Sequence, residues 1–220
     1  MRNGKILILF FLIFATGCAS FQAASQVQSG RRALLANQPE TALDFFQQAA
    51  ESDPNYIYSS VRFHEGVWTY VGRAQYALGN WPEAQSAFER ALTVYKDDPM
   101  AQLYLGLAMI KSGDQRQGFT QLKQGIKSLS DWIDYLNYSK PSDAFWDPRG
   151  EMRAEIAKIL SMLSAEKLDS GNEIIASAEW VAQQMEEEID KARRDERRQF
   201  ERERQHDIRR GFSVGAGFGF

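Results

Sequence analysis

Histidine and cysteine are few in this 220-residue chain and stand far apart, while the abundant carboxylates follow predicted exposed faces of helices, so the supply of catalytic groups is poor. The two histidines are His64 and His206, and neither has a second histidine three or four residues away, as a helical zinc site with two histidines requires. His64 stands beside Glu65, which we interpret as a surface or helix-end pair rather than an acid–base couple. The chain has neither a glycine-rich phosphate loop nor a nucleophile elbow. The sequence therefore predicts no catalytic residue, no metal site and no bound cofactor.

The single cysteine, Cys18, offers another chemistry, the covalent attachment of lipid. Arg2 and Lys5 precede an apolar run over 6–15, and small residues lead from there directly to the cysteine. A charged start followed by an apolar stretch too short to span a bilayer is typical of an export signal. The stretch resembles a bacterial lipobox, which implies removal of residues 1–17 and the addition of diacylglycerol and an N-acyl chain such as palmitate to Cys18. The alternative is an ordinary signal peptide with an incidental cysteine.

The surroundings of the cysteine also predict a location. The residue after Cys18 is Ala19 rather than Asp, which by resemblance to enterobacterial lipoproteins implies the outer membrane rather than the inner one. A lipid anchor would hold the protein on the periplasmic face, with no helix through the membrane. Removing Arg2 and Lys5 with the signal shifts the formal net charge from −3 to −5. Export and an acidic balance argue against a nucleic-acid partner.

The elements that must position any binding residues come from an internal repeat. Residues 65–98 and 99–127 match each other at an offset of 34 residues, which places Gly72 on Gly106 and Phe88 on Leu122. Apolar and small residues recur at steps of three, four and seven, so each helix has one apolar stripe. The repeating unit is therefore a pair of helices.

The repeat resembles the tetratricopeptide repeat, whose period is 34 residues. The residues in the family's positions are Trp68, Val71, Gly72, Ala84 and Phe88, with Pro82 in the first turn of the second helix. A divergent first unit has Gly30, Ala42, Phe46, Ala49 and Pro54 in the corresponding places. The resemblance implies an all-α helical-repeat superhelix with three units within 26–127, at approximately 23–56, 65–98 and 99–127.

The resemblance also implies a groove lined by the first helices of successive units. The positions carried over are Arg31, Leu34, Leu35, Thr69, Arg73, Tyr76, Leu103, Leu107, Ile110 and Lys111. Arg31 and Arg73 hold the same place in their units, so they would bind an acidic group through paired hydrogen bonds, or only solvate the groove. We predict that Arg31→Glu with Arg73→Glu weakens the capture of a protein or peptide partner without unfolding the domain.

Two segments beside the first unit have no place in the repeat. Residues 18–25 are predicted to be a tether between the lipid and the first helix. The step from Gly30 to Gly72 is 42 residues, which leaves eight extra residues around 56–64. We expect these to lengthen a helix or to form a loop.

Residues 128–150 are predicted to be an aromatic-rich cap or loop. The aromatic residues are Trp132, Tyr135, Tyr138, Phe145 and Trp146. They would either pack over the end of the superhelix or form a second ligand site. An enzyme would have to use this segment, with Asp131, Asp134, Asp143 or Asp147 as its acids.

Two helices are predicted over 151–205. The first, a capping helix, carries Met152, Ile156, Ile159 and Leu163 on one face. The second begins near Glu173 and keeps a stripe formed by Ile174, Ala178, Val181, Met185, Ile189 and Ala192. Its charged end, 193–205, is predicted to project as a solvated helix or to bind a partner or lipid headgroups.

The last residues, 206–220, form a Gly/Phe tail. Strict alternation over 211–220 predicts either an extended strand that adds to the edge of a partner's sheet or a flexible end.

Taken together, the sequence predicts an outer-membrane lipoprotein that acts as a protein–protein interaction scaffold or assembly factor in the bacterial cell envelope. By resemblance, lipid-anchored proteins with such repeats often help to assemble barrels, pili, secretion pores or cell-wall machinery. The alternatives are an envelope enzyme resembling a cell-wall hydrolase and a structural oligomer formed through the long C-terminal helix.

Overall fold

The computed structural model of the chain describes residues 3–60, 63–139, 147–165 and 171–215. Its elements are α1 (Asn3–Leu35), α2 (Pro39–Ser52), β1 (Ile57–Ser60), β2 (Phe63–Gly66), α3 (Val67–Ala77), α4 (Trp81–Val94), α5 (Pro99–Lys111), α6 (Gln115–Ser139), α7 (Glu151–Ser164) and α8 (Gly171–Gly215). Helices pair along the chain as α1 with α2, α3 with α4 and α5 with α6, and these hairpins stack through α2 on α3 and α4 on α5. The prediction of an all-α helical repeat is confirmed.

Each hairpin turns at a residue with positive φ. Asn37, Gly79 and Gly113 have φ values of 55°, 78° and 103° and follow the ends of α1, α3 and α5. This left-handed conformation ends a helix by returning backbone N–H groups to its last carbonyls. The next helix begins at once, with Pro39 opening α2 and Pro82 in the first turn of α4. Short turns of this kind hold the two helices antiparallel.

Glycine in each first helix allows the two helices of a hairpin to approach closely. A Cβ atom would lie 2.4 Å from the ring of Phe46 at Gly30, 2.5 Å from the ring of Phe88 at Gly72 and 2.4 Å from the backbone N of Leu122 at Gly106. Real side-chain carbons do not approach so closely, so the rings of Phe46 and Phe88 fill the space beside Gly30 and Gly72, and the backbone of α6 fills the space beside Gly106. Each of the three hairpins therefore has a glycine where its second helix approaches its first.

The tether predicted for 18–25 is wrong, because α1 continues through these residues. Ala23 and Val27, one turn apart, are fully buried in the core, and Ser20 donates a hydrogen bond of 2.6 Å to Asp53. Extending an existing helix gains one backbone hydrogen bond per residue, which favours helix over a tether in this segment. In the described part of the chain, no helix is both long enough and apolar enough to cross a bilayer.

The extra residues before the second hairpin form a β-hairpin, so the predicted helical extension is wrong. Strands β1 and β2 pair antiparallel, with Ile57 opposite Gly66 and Ser60 opposite Phe63. Along β2, Phe63 and Glu65 are buried while His64 is exposed. This two-residue alternation is the pattern of a strand with one buried face. The hairpin therefore directs Glu65 into the protein.

Two further segments are helical where another structure was predicted. The cap or loop predicted over 128–150 is wrong for 128–139, because α6 continues to Ser139 and buries Leu129 and Ile133 in line with its earlier apolar residues. The strand predicted over 211–220 is wrong for 211–215, which belong to α8. An extended segment needs a neighbouring strand for its backbone hydrogen bonds, whereas a helix supplies its own. Residues 216–220 lie outside the described part of the chain.

Candidate functional site

Helix α8 lies across the face formed by α1, α3 and α5, the first helices of the three hairpins. We call this face, with the residues beneath α8, the groove. The polar contacts join Glu179 to Tyr76 and Lys111, and Glu186 to Arg31 and Arg73. Because Glu179 meets α3 and α5 while Glu186 meets α1 and α3, α8 runs from the third hairpin back toward the first. The groove is therefore occupied by the protein's own chain.

At the centre of the groove, two arginines and two carboxylates form a buried cluster. Oε1 of Glu186 accepts from Nε and Nη2 of Arg31 at 2.8 and 2.5 Å, and its Oε2 lies 2.9 Å from Nη1 of Arg73. Nη1 of Arg73 also donates to Oε1 of Glu65 at 3.0 Å. The four side chains are at most 7 % exposed. Their charges cancel, which is the condition for burying ions away from water.

Aromatic rings flank the cluster. The guanidinium of Arg31 lies 5.1 Å from the ring centre of Tyr58, and that of Arg73 lies 5.5 Å from the ring of Tyr70 and 5.7 Å from that of Tyr104. A guanidinium near an aromatic face is attracted by the ring's quadrupole. The rings also exclude water, so the charges interact in a medium of low polarity.

The two carboxylates of the cluster differ in their affinity for protons. Burial raises the pKa of Glu65 to about 7, although Arg73 acts to lower it. Burial also acts to raise the pKa of Glu186, but Arg73 and Arg31 outweigh it and hold this pKa below its ordinary value. Glu186 is therefore the charged partner of the arginines at neutral pH, and Glu65 is the group whose pKa lies near neutral pH.

The polar contacts at the other end of the groove are closer to solvent. The hydroxyl of Tyr76 donates to Oε1 of Glu179 at 2.5 Å, and Nζ of Lys111 lies 3.3 Å from the same oxygen. Glu179 is 39 % exposed and Lys111 is 32 % exposed, so water screens this ion pair. Glu179 and Glu186 are seven positions apart, which places them two turns apart on the same face of α8.

The surface between the two acidic contacts is apolar. Leu103, Leu107 and Ile110 of α5 are buried in the same core as the inner face of α8. That inner face consists of Ile174, Ala178, Val181, Ala182, Met185 and Ile189, all buried. Alanines in the middle of this face allow α8 to approach the hairpins closely, which strengthens the van der Waals contact.

The structure brings most of the predicted groove residues together. Arg31, Arg73, Tyr76 and Lys111 contact α8, and Leu103, Leu107 and Ile110 lie beside it in the core. Because both side chains are buried against carboxylates, we expect Arg31→Glu with Arg73→Glu to destabilise the domain, contrary to the expectation from the sequence. The binding of a partner by these residues stays a prediction.

Three of the predicted groove residues have other positions. Thr69 is fully buried, and its hydroxyl donates to Oδ2 of Asp98 at 2.6 Å. Asp98 also accepts from the backbone N–H groups of Gly66, Met100 and Ala101, so it joins the start of α3 to the start of α5. Leu34 packs on the core, and Leu35 is exposed one turn after Arg31.

The predicted aromatic site is not assembled by the described residues. The ring of Trp132 lies edge-on to Phe63 of β2 at 5.1 Å, whereas Tyr135 is exposed. The side chain of Tyr138 and residues Phe145 and Trp146 lie outside the described part.

The candidate acids of an enzyme are separated as well. Asp131 and Asp134 are exposed, while Asp147 is buried and accepts hydrogen bonds from the backbone N–H groups of Met152 and Arg153 at the start of α7. Asp143 falls outside the described residues. Within the described ranges, three or more His, Cys, Asp or Glu residues are nowhere grouped as a metal site requires.

The sequence analysis missed Glu179 and Glu186. A signal for both is present in the chain, because they lie three residues before and four residues after Ala182, on the buried face of α8. A carboxylate on an apolar face needs a cationic partner, and Arg31 and Arg73 were the available cations.

The surface or helix-end pair of His64 with Glu65, predicted from the sequence, is wrong, because Glu65 is fully buried and bound to Arg73 while His64 is exposed on the other face of β2. For Glu65 no such signal is present, because the alternation of the four-residue strand β2 is too short to recognise.

Comparison with protein families gives one reported match, to the tetratricopeptide repeat, over residues 68–98. The matched residues cover most of α3 and all of α4. None of the curated proteins compared with the chain matches it. The second hairpin is thus a tetratricopeptide repeat, and the first and third hairpins share its pairing of glycine with a large apolar residue.

Proposed function

We propose that this protein, which contains a tetratricopeptide repeat at residues 68–98, is a protein-binding scaffold or assembly factor that binds its partner in the groove. One observation carries this proposal: the groove receives an amphipathic helix, α8, through cationic contacts and an apolar surface between them. Repeats of this family typically bind proteins rather than catalyse reactions. The same geometry suits a helix supplied by another protein.

The proposed place of action is the periplasmic face of the outer membrane, with Cys18 carrying the lipid. Support comes from the export-signal pattern and from the position of the core. Ala23 is the first core side chain of the described residues, and it lies five positions after Cys18. Because α1 is continuous from Cys18 to Arg31, the groove would begin about 20 Å from the anchor at a helical rise of about 1.5 Å per residue. The partner would then be a component of the envelope close to the membrane.

Substitution of the cysteine tests the anchor. In a bacterial host that processes lipoproteins, Cys18→Ser should abolish incorporation of labelled palmitate and move the protein out of the membrane fraction. As a matched control, Cys18→Ser with Ser25→Cys restores a thiol on the exposed part of α1 but should not restore labelling, because the site of cleavage is not moved. Membrane attachment that survives Cys18→Ser would refute the lipid anchor.

Site-specific photo-crosslinking tests the binding surface. A photoreactive residue at Leu35 or Lys111, both exposed beside the groove, should capture an envelope protein in cells. The same residue at Glu89 on α4 is exposed on the outer side of the second hairpin and serves as the control. Capture only from Glu89, or equal capture from all three positions, would place the binding surface elsewhere.

A second candidate, oligomerisation through the long helix, is favoured by a separate observation. Phe200 is 65 % exposed on the projecting part of α8, among charged residues that are exposed with it. A large exposed aromatic residue is a common anchor of an interface. Phe200→Ser should then reduce the mass of the protein in solution to that of a monomer, as measured by light scattering. An unchanged mass would exclude this candidate.

A further inference from the structure

We propose that the partner presents an amphipathic helix with two acidic residues seven positions apart, and that this helix replaces α8 in the groove. The proposal rests on the proposed protein-binding function and specifies the chemistry of its ligand. Helix α8 is then the intramolecular copy of the ligand. Its contacts describe what the partner must supply.

The first requirement is charge. Without α8, the groove would present the positive charges of Arg31, Arg73 and Lys111, of which Glu65 cancels one. With α8 in the groove, the negative charges of Glu186 and Glu179 cancel the two remaining positive charges. A helix that brings no acid to these positions would leave two of the three cations, including a buried arginine, without a counter-charge, which disfavours binding strongly. The groove therefore selects an acidic helix.

The second requirement is shape. The two acids of α8 are separated by two turns, and Ala182 lies between them on the same face. Val181 and Met185 flank the alanine and are buried. A partner helix thus needs an acid at its first and eighth positions and a small residue at its fourth. Larger residues at the fourth position would hold the helix away from the hairpins.

A partner's helix can bind only after α8 leaves the groove. The attraction within a buried ion cluster is offset by the loss of hydration, so the cluster fixes the position of α8 more than it strengthens its attachment. Beyond Arg194 the described side chains of α8, as far as His206, are exposed and add no packing. Because α8 is tethered, it competes at an effective concentration on the order of millimolar. A partner must therefore bind the groove more strongly than α8 does at this effective concentration. Weakening the contacts of α8 with the groove should increase the binding of the partner.

The experiment uses a synthetic peptide with the sequence of residues 171–192, labelled with a fluorophore, and the full chain as the receptor. Fluorescence anisotropy should show that the peptide binds the Glu179→Gln chain about tenfold more tightly than the unsubstituted chain, because the contacts of α8 with Tyr76 and Lys111 are weakened. Glu203→Gln, at an exposed position of α8, is the matched control and should leave the affinity unchanged.

A peptide in which both Glu179 and Glu186 are replaced by Gln should bind at least about tenfold more weakly, because the groove arginines lose their counter-charges. Hydrogen exchange with an isotopically heavy peptide, which mass distinguishes from α8, should show loss of protection in α8 of the full chain. Equal affinity of the two peptides, or binding that leaves the amides of α8 protected from exchange, would overturn the proposal.

A charge exchange provides a second test on an exposed residue, so that folding is not at risk. Lys111→Glu repels Glu179 of α8 and should bind a Glu179→Lys peptide more tightly than the unsubstituted peptide. The opposite preference would contradict the proposed register.

If groove crosslinks to envelope proteins are found while none of these peptides binds, the proposal of an acidic-helix ligand is refuted and the protein-binding function is retained. If the groove captures nothing in cells, the function itself falls.

Discussion

The interiors of the hairpins and the groove are both buried, but different forces hold them. Each hairpin interior pairs a glycine with a large apolar residue sixteen positions later, as Gly72 with Phe88. The groove instead pairs Arg31 with Glu186, which is 155 positions away. Apolar contact is non-directional and always favourable, whereas buried charges are favourable only in the right arrangement. The hairpins are therefore held by packing alone, whereas the groove requires a matched arrangement of charges.

The largest expected effect is on a hairpin interior. Phe88→Ala removes a fully buried ring that fills the space beside Gly72 and stacks on Tyr104, and it should lower the free energy of unfolding by about 3–5 kcal/mol. Urea denaturation followed by circular dichroism measures this change. The control is Glu89→Ala at the adjacent exposed position, for which we expect less than about 0.5 kcal/mol. A loss below about 1 kcal/mol for Phe88→Ala would remove the distinction between the two regions.

The next effect concerns the ion cluster of the groove. Arg73→Met leaves Glu65 and Glu186 buried with one cation fewer and should cost about 3 kcal/mol in the free energy of unfolding. Replacing the whole cluster with apolar residues (Arg31→Met, Glu65→Leu, Arg73→Met and Glu186→Leu) should recover most of this loss, because no unpaired charge remains. Denaturation of the two variants under the same conditions provides the comparison. A combined variant that is no more stable than Arg73→Met would show that the charges themselves hold the fold.

A smaller effect is expected from pH, and only for the groove. The pKa of Glu65 is raised from 4.5 to about 7 in the folded protein, so the folded state binds a proton more tightly than the unfolded state. The free energy of unfolding should therefore fall as pH rises from about 4.5 to about 7, by an amount on the order of 2 kcal/mol. The lowered pKa of Glu186 acts in the other direction, with its stabilisation lost as the pH falls below about 4.5.

Glu65→Gln isolates this contribution, since the amide is neutral at every pH. The groups that face Glu65 are Arg73, Glu186, Asp98 and Tyr70, and all are retained in the variant. Urea denaturation at about pH 5 and about pH 8 should show a fall in stability for the unsubstituted chain and little change for Glu65→Gln. The same fall in both proteins would assign the pH dependence to another group.

The smallest effect is expected at the solvent-exposed end of the groove. Lys111→Ala removes an ion pair with Glu179 in which both groups are about a third exposed, and it should cost less than about 1 kcal/mol. Added salt should weaken the unsubstituted chain toward the variant, because exposed ion pairs are screened. A cost comparable to that of Arg73→Met would show that the two ends of the groove do not differ.

The periodic parts of the fold could be predicted from the sequence. The 34-residue offset identified the second and third hairpins, and steps of three and four identified the buried faces of α7 and α8. The β-hairpin could not be predicted in this way, because each strand has only four residues and the alternation is too short to recognise. The helical continuation of α6 past residue 128 was missed because aromatic residues and later prolines suggested a loop.

The sequence by itself determined that the chain forms helical hairpins, because each helix buries residues that lie within one or two turns of each other. The repeat also places Arg31, Arg73, Tyr76 and Lys111 on the face of the first helices, where they contact α8. Only the tertiary structure decided that α8 covers them. The contact between Arg31 and Glu186 depends on the return of a distant helix across three hairpins, and no local pattern records the path of that return.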